Sequence, residues 1–209
     1  MSGTAPKRSV YRLSIYLRCL EQFVERQVRT VSSQALAEAA GVKPTQLRKD
    51  LTFFGQFGKR GLGYDVPTLR QKMAAALGRQ EAQPVVLVGV GHLGSALLAY
   101  KGFEKEGFEI VAGFDVEVRH ARRKTFLQPV LPMSQLEAFV QRRRIRLAIL
   151  TVPAAAASAT AERLIGAGVE AILNFAPVVL HVPQHVVVSN VNLAIELENL
   201  SYFRSLAKE

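Results

Sequence analysis

Apolar residues recur at helical spacing in the first 80 residues of the chain, which predicts a helical first domain. The first helix is expected over Tyr11–Arg26, where four apolar residues recur at helical spacing: Leu13, Leu17, Leu20 and Val24. The further helices predicted in this part of the chain are Gln34–Ala40, Thr45–Phe53 and Asp65–Gly78.

Two of these helices are joined by a short turn typical of a helix-turn-helix. Ser32-Ser33 offers an N-cap for the helix over Gln34–Ala40, and Gly41 tolerates the positive φ that ends it. Pro44 then suits the first turn of the next helix. In DNA-binding domains with this arrangement, the second helix enters the major groove.

That second helix is the candidate recognition helix. Leu47 and Leu51 are four positions apart, so both are expected to face the core. Three polar side chains of the types that contact base edges and phosphates point outward: Gln46, Arg48 and Lys49. The helix alone is weak evidence for DNA binding, because many surface helices carry cations.

The segment Gly55–Tyr64 combines four glycines and interleaved aromatic residues with the adjacent cations Lys59 and Arg60. This pattern predicts a tight β-hairpin with the two cations at its tip. Such a hairpin is the wing of a winged helix and reaches the phosphate backbone or the minor groove. Lys59 and Arg60 are therefore candidate DNA contacts, with an ordinary glycine-rich loop as the alternative.

Beyond a polar linker at Arg79–Gln83, apolar runs alternate with helical patterns, which predicts an α/β fold with a parallel sheet. Ser134 and Glu137 are expected to form a capping box. The predicted strands are Pro84–Val88, Phe108–Phe114, Ile145–Val152, Val169–Leu173 and His185–Ser189, and the predicted helices are Ser95–Glu106, Ser134–Arg143, Ala155–Ala167 and Leu193–Leu206.

Composition narrows the class of protein. Hydrophobic residues make up 49% of the 209, enough for a substantial core, and no apolar run reaches the ~18 residues of a membrane span. The N-terminus lacks the apolar stretch of a signal peptide, so a cytoplasmic protein is expected. The single cysteine, Cys19, is expected to be buried, with an intermolecular redox thiol as the alternative.

The formal charge of +10 is unevenly distributed along the chain. Residues 1–80 carry 14 Lys and Arg against 5 Asp and Glu, a net charge of +9, whereas residues 81–209 carry 13 against 12. A phosphate polymer such as DNA is the natural partner of the basic segment. A solvated basic surface is the alternative.

A glycine-rich turn follows the first predicted strand of the second domain and precedes a helix. A strand, a tight glycine turn and a helix N-terminus form the geometry that receives a dinucleotide pyrophosphate. The six residues of the turn are candidate cofactor-binding residues: Gly89, Val90, Gly91, His92, Leu93 and Gly94.

Asp115 ends the next predicted strand, 21 residues after Gly94. This is near the spacing expected for a carboxylate that binds the adenosine ribose. Because a carboxylate repels a 2′-phosphate, NAD is favoured over NADP as the cofactor. NADP remains open through the later cations Arg119, Arg122 and Arg123, and a helix N-cap is the alternative role of Asp115.

Two further segments follow predicted strands, where ligands of open parallel sheets bind. Their short polar or proline-fixed backbone suits contacts with the nicotinamide amide or its ribose, with simple chain reversal as the alternative. The candidate residues are Thr151, Val152 and Pro153 after one strand, and Asn174, Ala176 and Pro177 after another.

The sequence offers little catalytic chemistry. A dehydrogenase needs a general acid or base beside the nicotinamide, and no Tyr-x-x-x-Lys pair occurs. His181 and His185 are expected on a surface turn rather than in a catalytic or metal site. With one cysteine and no cluster of acids and histidines, no metal site is expected. The site is therefore predicted to bind a dinucleotide rather than to react with it.

Six segments from both domains occur in a specific order: Leu47–Leu51, Phe54–Gly58, Gly63–Val66, the glycine turn, Ile149–Pro153 and Ile172–Pro177. In this combination the chain resembles the Rex family of redox-sensing transcriptional repressors. The resemblance extends from about Tyr11 to Tyr202, nearly the whole chain.

The resemblance implies a bacterial homodimer that binds palindromic operator DNA and represses genes of respiration or fermentation. NADH would release the protein from DNA, whereas NAD+ would compete without releasing it. It also implies three parts: a winged-helix domain over residues 1–80, a Rossmann-type NAD(H)-binding domain over residues 81–191, and a C-terminal helix within residues 192–209 that is swapped between protomers.

The resemblance further implies a polar network between the domains that includes Arg18 and Tyr100. The family usually carries an Asp just before the swapped helix, and this chain has Asn192 there. An amide can still donate and accept hydrogen bonds, but it cannot neutralise Arg18. The presence of Asn in place of Asp therefore affects the strength of the interdomain switch rather than the fold. The alternative is that Asn192 serves only as a helix N-cap.

Two other classes of function stay open. A dehydrogenase with a basic N-terminal extension would show steady hydride transfer with a small carbonyl substrate. A structural DNA-binding protein with a vestigial nucleotide fold would not bind NADH.

Overall fold

The structure is a computed structural model that describes residues 5–55, 57, 62–118 and 126–206. The chain divides into two compact units, residues 1–81 and residues 82–209. Each unit has its own buried core.

The first unit is mainly helical. Leucines of its first helix pack against the inward faces of the other helices, and Leu13, Leu20, Leu36 and Leu47 are completely buried. Its elements are α1 (Lys7–Glu25), β1 (Thr30–Val31), α2 (Ser33–Ala39), α3 (Pro44–Thr52), β2 (Tyr64–Asp65) and α4 (Val66–Ala76).

The predicted helix-turn-helix is present as α2 and α3. Ser32 Oγ accepts a hydrogen bond from the Ala35 amide at 3.0 Å, as an N-cap does. Gly41 has a φ of +65° and ends α2, and Pro44 lies in the first turn of α3. Because these signals are local, both helices begin within one residue of the predicted positions.

The predicted β-hairpin over Gly55–Tyr64 lies largely outside the described residues, which leave out residues 56 and 58–61. β2 pairs antiparallel with β1, which joins Val31 to Tyr64, and β1 was not predicted. Gly63 allows this approach: its φ is +75°, and a Cβ there would lie 2.6 Å from the Val31 carbonyl oxygen. Lys59 and Arg60 lie outside the described residues.

Among the four apolar residues at helical spacing in α1, Val24 is not buried. Its side chain is 40% exposed, because it lies in the last turn of the helix. Cys19 is buried, as expected.

The second unit is a six-stranded parallel sheet flanked by helices. Its strands are β3 (Gln83–Val88), β4 (Phe108–Asp115), β5 (Val130–Pro132), β6 (Leu147–Leu150), β7 (Ala171–Asn174) and β8 (Val187–Asn190). Its helices are α5 (His92–Leu98), α6 (Gly102–Lys105), α7 (Leu136–Arg143), α8 (Ala154–Gly166) and α9 (Leu193–Leu206).

The strand order is β5-β4-β3-β6-β7-β8, which is the order of a Rossmann fold. The chain leaves β3 toward β4 on one side and later returns to β6 on the other. In open parallel sheets, ligands bind at the carboxyl ends of the strands where the order reverses. The α/β prediction is confirmed, and the topology selects the ends of β3 and β6 as the site.

Alternate residues of β3 pack into two separate cores. Val86 and Val88 lie in the core beneath α7 and α8, whereas Val85 and Leu87 face the core that contains Leu98 of α5. A central strand buried on both faces is a near-continuous apolar run, which is why its sequence predicted it well.

Two predicted features of the second unit are wrong. The single helix over Ser95–Glu106 is two helices, α5 and α6, interrupted at residues 99–101. The Ser134–Glu137 capping box does not form, because residues 133–135 make a 3₁₀ turn and the Glu137 carboxylate accepts a hydrogen bond from Arg163 Nε of α8 at 2.5 Å.

Within the described residues, no helix is both long and apolar enough to cross a bilayer.

Candidate functional site

The three glycines of the turn after β3 have three different environments. Gly89 has a φ of +95°, and a Cβ there would lie 2.6 Å from the Thr151 carbonyl oxygen. A Cβ on Gly94 would overlap the Gly89 carbonyl oxygen, so only glycine lets α5 pack onto the turn. A Cβ on Gly91 would meet nothing within 4 Å. These are the roles of a dinucleotide fingerprint: a tight turn, an open approach for the pyrophosphate, and close helix packing.

Thr151 holds this turn from the neighbouring strand. Its Oγ1 lies 2.7 Å from the Gly89 carbonyl oxygen and 3.1 Å from that of Val88, and it donates to this pair of acceptors. The one hydroxyl hydrogen is thus used within the protein. The predicted cofactor residue Thr151 therefore lies at the site, with its side chain shaping the glycine turn.

Asp115 reaches the same turn from the end of β4. Its Oδ2 accepts a hydrogen bond from the Val90 amide at 2.5 Å, and its Oδ1 accepts one from the Glu117 amide at 2.8 Å. A carboxylate has further lone pairs beyond these two bonds. Asp115 therefore lies where a dinucleotide site is expected to have the carboxylate that binds the adenosine ribose. Its hydrogen bond to the Val90 amide also holds the glycine turn in place.

The other residues of the turn divide between core and surface. The Val90 side chain is buried beside Leu98, so only its backbone faces the site. His92 and Leu93 begin α5 and are exposed.

Asn174 ends β7 and is completely buried. Its Nδ2 lies within hydrogen-bond distance of three acceptors: the carbonyl oxygens of Ala176 (3.2 Å) and Val178 (2.9 Å) and Oδ1 of Asn190 (2.9 Å). Its Oδ1 accepts from the Ala176 amide at 2.9 Å. The amide thus builds the loop that leads to the exposed Pro177, rather than pointing outward.

The predicted cofactor residues therefore meet along one edge of the sheet, at the carboxyl ends of β4, β3, β6 and β7. Val152 and Pro153 follow Thr151 there, and Pro153 precedes the first turn of α8. A candidate dinucleotide site results, whose glycine turn is held by Thr151 and Asp115.

A second candidate site lies on the helix-turn-helix. Arg48 Nη1 of α3 donates to Ser33 Oγ of α2 at 3.1 Å, and Lys49 is exposed. Gln46 is only partly exposed, because its Nε2 donates to the Asp50 carboxylate at 2.9 Å. The outward orientation predicted for these three residues thus holds fully for Arg48 and Lys49 only.

Asp50 is the residue of this site that sequence reasoning missed. It is completely buried and accepts hydrogen bonds from α1 as well as from Gln46. The donors from α1 are Ser9 Oγ (2.9 Å), Arg12 Nε (2.6 Å), Arg12 Nη2 (2.7 Å) and Tyr16 Oη (2.8 Å). The signal was its position three residues after Leu47, which places it on the buried face of α3.

The protonation states of this cluster follow from its contacts. Burial by itself raises the pKa of Asp50, but hydrogen bonds from Arg12, Tyr16, Ser9 and Gln46 outweigh it and lower the pKa to about 2. The hydrogen bond to Asp50 raises the pKa of Arg12, and burial raises the pKa of Tyr16. At neutral pH the cluster is therefore an ionised carboxylate held by a guanidinium and a neutral phenol.

The three residues expected to form the interdomain switch lie in both units. Arg18 is on an exposed position of α1. The Tyr100 ring lies edge-on to Phe103, with centroids 5.1 Å apart. Asn192 Oδ1 accepts from the amides of Ala194 (3.0 Å) and Ile195 (3.3 Å), so Asn192 is the N-cap of α9.

The described residues contain no group of three or more His, Cys, Asp and Glu that could hold a metal ion.

Comparison with known proteins covers both units. A family model described as the N-terminus of a putative DNA-binding protein matches residues 4–52, and one described as a CoA binding domain matches residues 80–178. The redox-sensing transcriptional repressor Rex of Pelotomaculum thermopropionicum is 43% identical over 197 residues, which cover 94% of this chain and 92% of the relative. The chain belongs to the Rex family.

Rex of Streptomyces coelicolor is 44% identical over 197 residues, which cover 94% of this chain and 76% of that protein. Among solved structures, the repressor RSP in complex with β-NAD+ and operator DNA is 36% identical, with a TM-score of 0.89 and 99% of both chains covered. RSP in complex with β-NADH is 34% identical, with a TM-score of 0.85 and 99% of this chain and 97% of that chain covered. The similarity to Rex proteins therefore spans both units.

Proposed function

We propose that this chain is a redox-sensing transcriptional repressor that binds palindromic operator DNA as a homodimer and leaves it when NADH binds. One observation carries the proposal: over 99% of its length the chain is similar to a Rex-family repressor that was solved with both β-NAD+ and operator DNA. A repressor works on chromosomal DNA, so we place the chain in the cytoplasm.

On the DNA side, α3 is the recognition helix. Arg48 and Lys49 supply cations on its surface, and Lys59 and Arg60 would contact the phosphate backbone as the wing. The net charge of +9 in residues 1–80 supports this assignment, because phosphate contacts dominate the affinity of proteins for DNA.

On the cofactor side, the turn Gly89–Gly94 binds the pyrophosphate of NAD(H). The open space at Gly91 fits a phosphate group, since a Cβ there meets no atom within 4 Å. Asp115 would bind the adenosine ribose and favour NAD over NADP. The segments Thr151–Pro153 and Asn174–Pro177 would form the walls around the nicotinamide.

Dimerisation is assigned to α9. Seven large apolar side chains of this helix are exposed in the single chain: Leu193, Ile195, Leu197, Leu200, Tyr202, Phe203 and Leu206. Removing this much apolar surface from water favours association, so a second copy of the chain is the occupant we propose for this surface. This agrees with the helix exchange between protomers that the family resemblance implies.

NADH need only bind the DNA-free state of the dimer better than the DNA-bound state. A ligand shifts an equilibrium by its difference in affinity for the two states, and a few kcal/mol suffices. Arg18, Tyr100 and Asn192 are the residues we assign to the coupling between the two units.

A mobility-shift titration tests the proposal. The probe is a duplex that the chain itself enriches from a randomised DNA library in the presence of NAD+. NADH is expected to release the duplex, whereas NAD+ and coenzyme A, the matched controls, leave it bound. If NADH and NAD+ have the same effect on the complex, the proposed redox sensing is wrong.

The dehydrogenase with a basic extension is the competing function. It predicts steady oxidation of NADH with a small carbonyl substrate, which absorbance at the nicotinamide band would record. We expect no turnover, because the sequence lacks a Tyr-x-x-x-Lys pair.

A further inference from the structure

Gln46 and Asp50 form a hydrogen-bonded pair on α3. They are four residues apart, and Gln46 Nε2 donates to Asp50 Oδ1 at 2.9 Å. Lys49, three residues after Gln46, is exposed, whereas Asp50 is completely buried. Because positions three and four residues on are the neighbours of a helical side chain, Gln46 lies at the border between the buried and the exposed face of α3.

The orientation of the Gln46 amide follows from the chemistry of its partner. An ionised carboxylate is a hydrogen-bond acceptor only. The nitrogen of the Gln46 amide must therefore face Asp50, and its oxygen Oε1 must face away.

The Asp50 carboxylate is itself fixed in place. Arg12 grips both of its oxygens, through Nε at 2.6 Å and Nη2 at 2.7 Å. Ser9 Oγ donates to Oδ1 and Tyr16 Oη to Oδ2. With these donors on α1, the carboxylate cannot rotate without losing several hydrogen bonds. The Gln46 amide that donates to it is therefore held in a fixed position.

After Gln46 donates one hydrogen bond to Asp50, its amide retains one N–H donor on Nε2 and the acceptor Oε1. Adenine presents the complementary pair in the major groove, an N7 acceptor beside an N6 donor, whereas guanine presents two acceptors. Gln46 is the third residue of α3, and residues near the N-terminus of a recognition helix are those that contact base edges.

We propose that Gln46 recognises one adenine in each operator half-site and that Asp50 is the positioning residue that orients the Gln46 amide for this contact. The inference rests on the proposed function, because it names the base that α3 selects within the operator.

The test is selection from duplexes with a randomised core, using the full-length chain and its variants. Wild type is expected to enrich a palindrome that contains the adenine. Gln46→Ala should lose preference at that base pair alone and keep the rest of the motif. Gln34→Ala, which removes an exposed glutamine of α2, is the matched control and should leave every base preference unchanged.

A chemical substitution in the DNA tests the contact directly. Replacing that adenine by 7-deazaadenine removes the N7 acceptor, and it should weaken binding of wild type about tenfold. The same replacement should not affect Gln46→Ala. If 7-deazaadenine weakens both proteins equally, Gln46 does not read this base.

The positioning role of Asp50 needs its own variants. Asp50→Asn permits the amide of Gln46 to turn over, so preference at the same base pair should relax while the others persist. Arg12→Lys keeps the positive charge but loses the two-point grip, and it should relax the same preference without removing the carboxylate. If Asp50→Asn fails to fold, Arg12→Lys alone tests the positioning role of Asp50.

The outcomes separate the two proposals. If wild type enriches no motif, with NAD+ or without, the proposed function is wrong. If Gln46→Ala keeps every base preference of the wild-type motif, the function stands and the adenine contact is wrong. The same conclusion follows if the preference that Gln46→Ala loses is at a G·C pair. If folded Asp50→Asn or Arg12→Lys keeps full preference at the adenine, the positioning role of Asp50 is wrong.

Discussion

At the scale of single residues, the same residue type has different roles that depend on its surroundings. Gly94 is required because a side chain would collide with the Gly89 carbonyl, whereas Gly91 leaves a space that opens to the site. Asp50 is a buried carboxylate that holds two helices, whereas Asp115 is a partly buried one that holds a turn. Substitutions at these residues therefore separate stability from ligand binding.

Gly91→Ala and Gly94→Ala form a matched pair of variants. Gly91→Ala should leave the free energy of unfolding within about 0.5 kcal/mol of wild type, because its Cβ enters open space. It should lower NADH affinity about tenfold or more, because that space is where the pyrophosphate approaches. Gly94→Ala should lower the free energy of unfolding by about 1–3 kcal/mol, because the added Cβ overpacks the turn.

Urea denaturation and calorimetric titration with NADH measure both effects. A Gly91→Ala protein with wild-type NADH affinity would contradict the assignment of the open glycine to the pyrophosphate.

Asp50 should make the stability of the chain depend on pH in the acid range. Its pKa is about 2 in the folded protein against 3.8 for an ordinary Asp, so the folded state binds its proton less readily than the unfolded state. The stabilisation is therefore complete above about pH 5 and is lost as the pH falls through 3.8 toward 2. The difference in pKa corresponds to about 2 kcal/mol.

Urea denaturation of wild type and Asp50→Asn at a series of pH values measures this contribution. The difference between the two free energies of unfolding should shrink below about pH 5. Other carboxylates with lowered pKa values, such as Asp65 and Glu137, affect both proteins equally and cancel in that difference. A difference that stays constant with pH would show that Asp50 titrates normally.

At the scale of elements, helical periodicity predicts neither the pairing of short strands nor which helix faces stay exposed. β1 and β2 have two residues each and form because Gly63 lets their backbones approach closely. α9 begins and ends where it was predicted, yet none of its described residues is buried in the single chain. The proposed homodimer would cover this apolar helix, which Asn192 caps.

If the proposed dimer forms through α9, Leu200→Glu is expected to convert it to a monomer. Leu200 is 67% exposed in the single chain, and a carboxylate in its place could not be buried in an apolar interface without a large desolvation cost. The neighbouring substitution Asn199→Glu adds the same charge on the same helix and should leave the dimer intact. Sedimentation velocity over a range of concentrations distinguishes the two states, and a Leu200→Glu dimer as tight as wild type would rule out α9 as the interface.

At the scale of the whole molecule, the chain joins a DNA-binding unit to a nucleotide-binding unit, and its function depends on coupling between them. Such coupling is a free energy and is reciprocal by thermodynamic necessity. Each site can therefore be used to measure the other.

The factor by which NADH weakens DNA binding should equal the factor by which DNA weakens NADH binding. We expect this equality because both ligands act on one conformational equilibrium. NADH titrations of the free dimer and of the dimer saturated with operator give one factor, and DNA titrations with and without NADH give the other. NAD+ in place of NADH is the control and should give a factor close to one. Unequal factors for NADH would indicate competition from aggregation or a second site.

Asn192→Asp should increase the coupling factor. An Asp side chain can accept the same two amide hydrogen bonds as the N-cap of α9, so stability should be preserved. It also adds the negative charge that, in the proposed interdomain network, would neutralise Arg18. The coupling factor is measured as above, and an unchanged factor would place Asn192 in the cap alone.

Much of the fold was predictable because its signals are local. Ser32, Gly41 and Pro44 set the ends of α2 and α3 through their own backbone preferences, and the apolar run of β3 needs no partner to be recognised. The pattern of Gly89, Gly91 and Gly94 likewise predicted the turn and its place before α5. The boundaries of α9 also follow from its cap and its apolar content.

The remainder of the site depended on contacts between distant parts of the chain. Thr151 and Asn174 were predicted as cofactor contacts from their places after strands, yet their side chains hold the glycine turn and the loop after β7. Glu137 pairs with Arg163 of the next helix instead of capping its own. In each case the side chain had several polar partners within reach, and only tertiary packing selects among them.

The sequence by itself determined the helix-turn-helix, the parallel α/β unit and the glycine turn, because each depends on residues close together in the chain. The tertiary structure decided the pairing of Thr30–Val31 with Tyr64–Asp65 and the strand order that makes the ends of β3 and β6 the site. It also decided that Asp50 joins α3 to α1, with partners 34 to 41 residues away. A buried charge takes its partners from whatever the packed core brings to it, and a linear pattern does not contain that information.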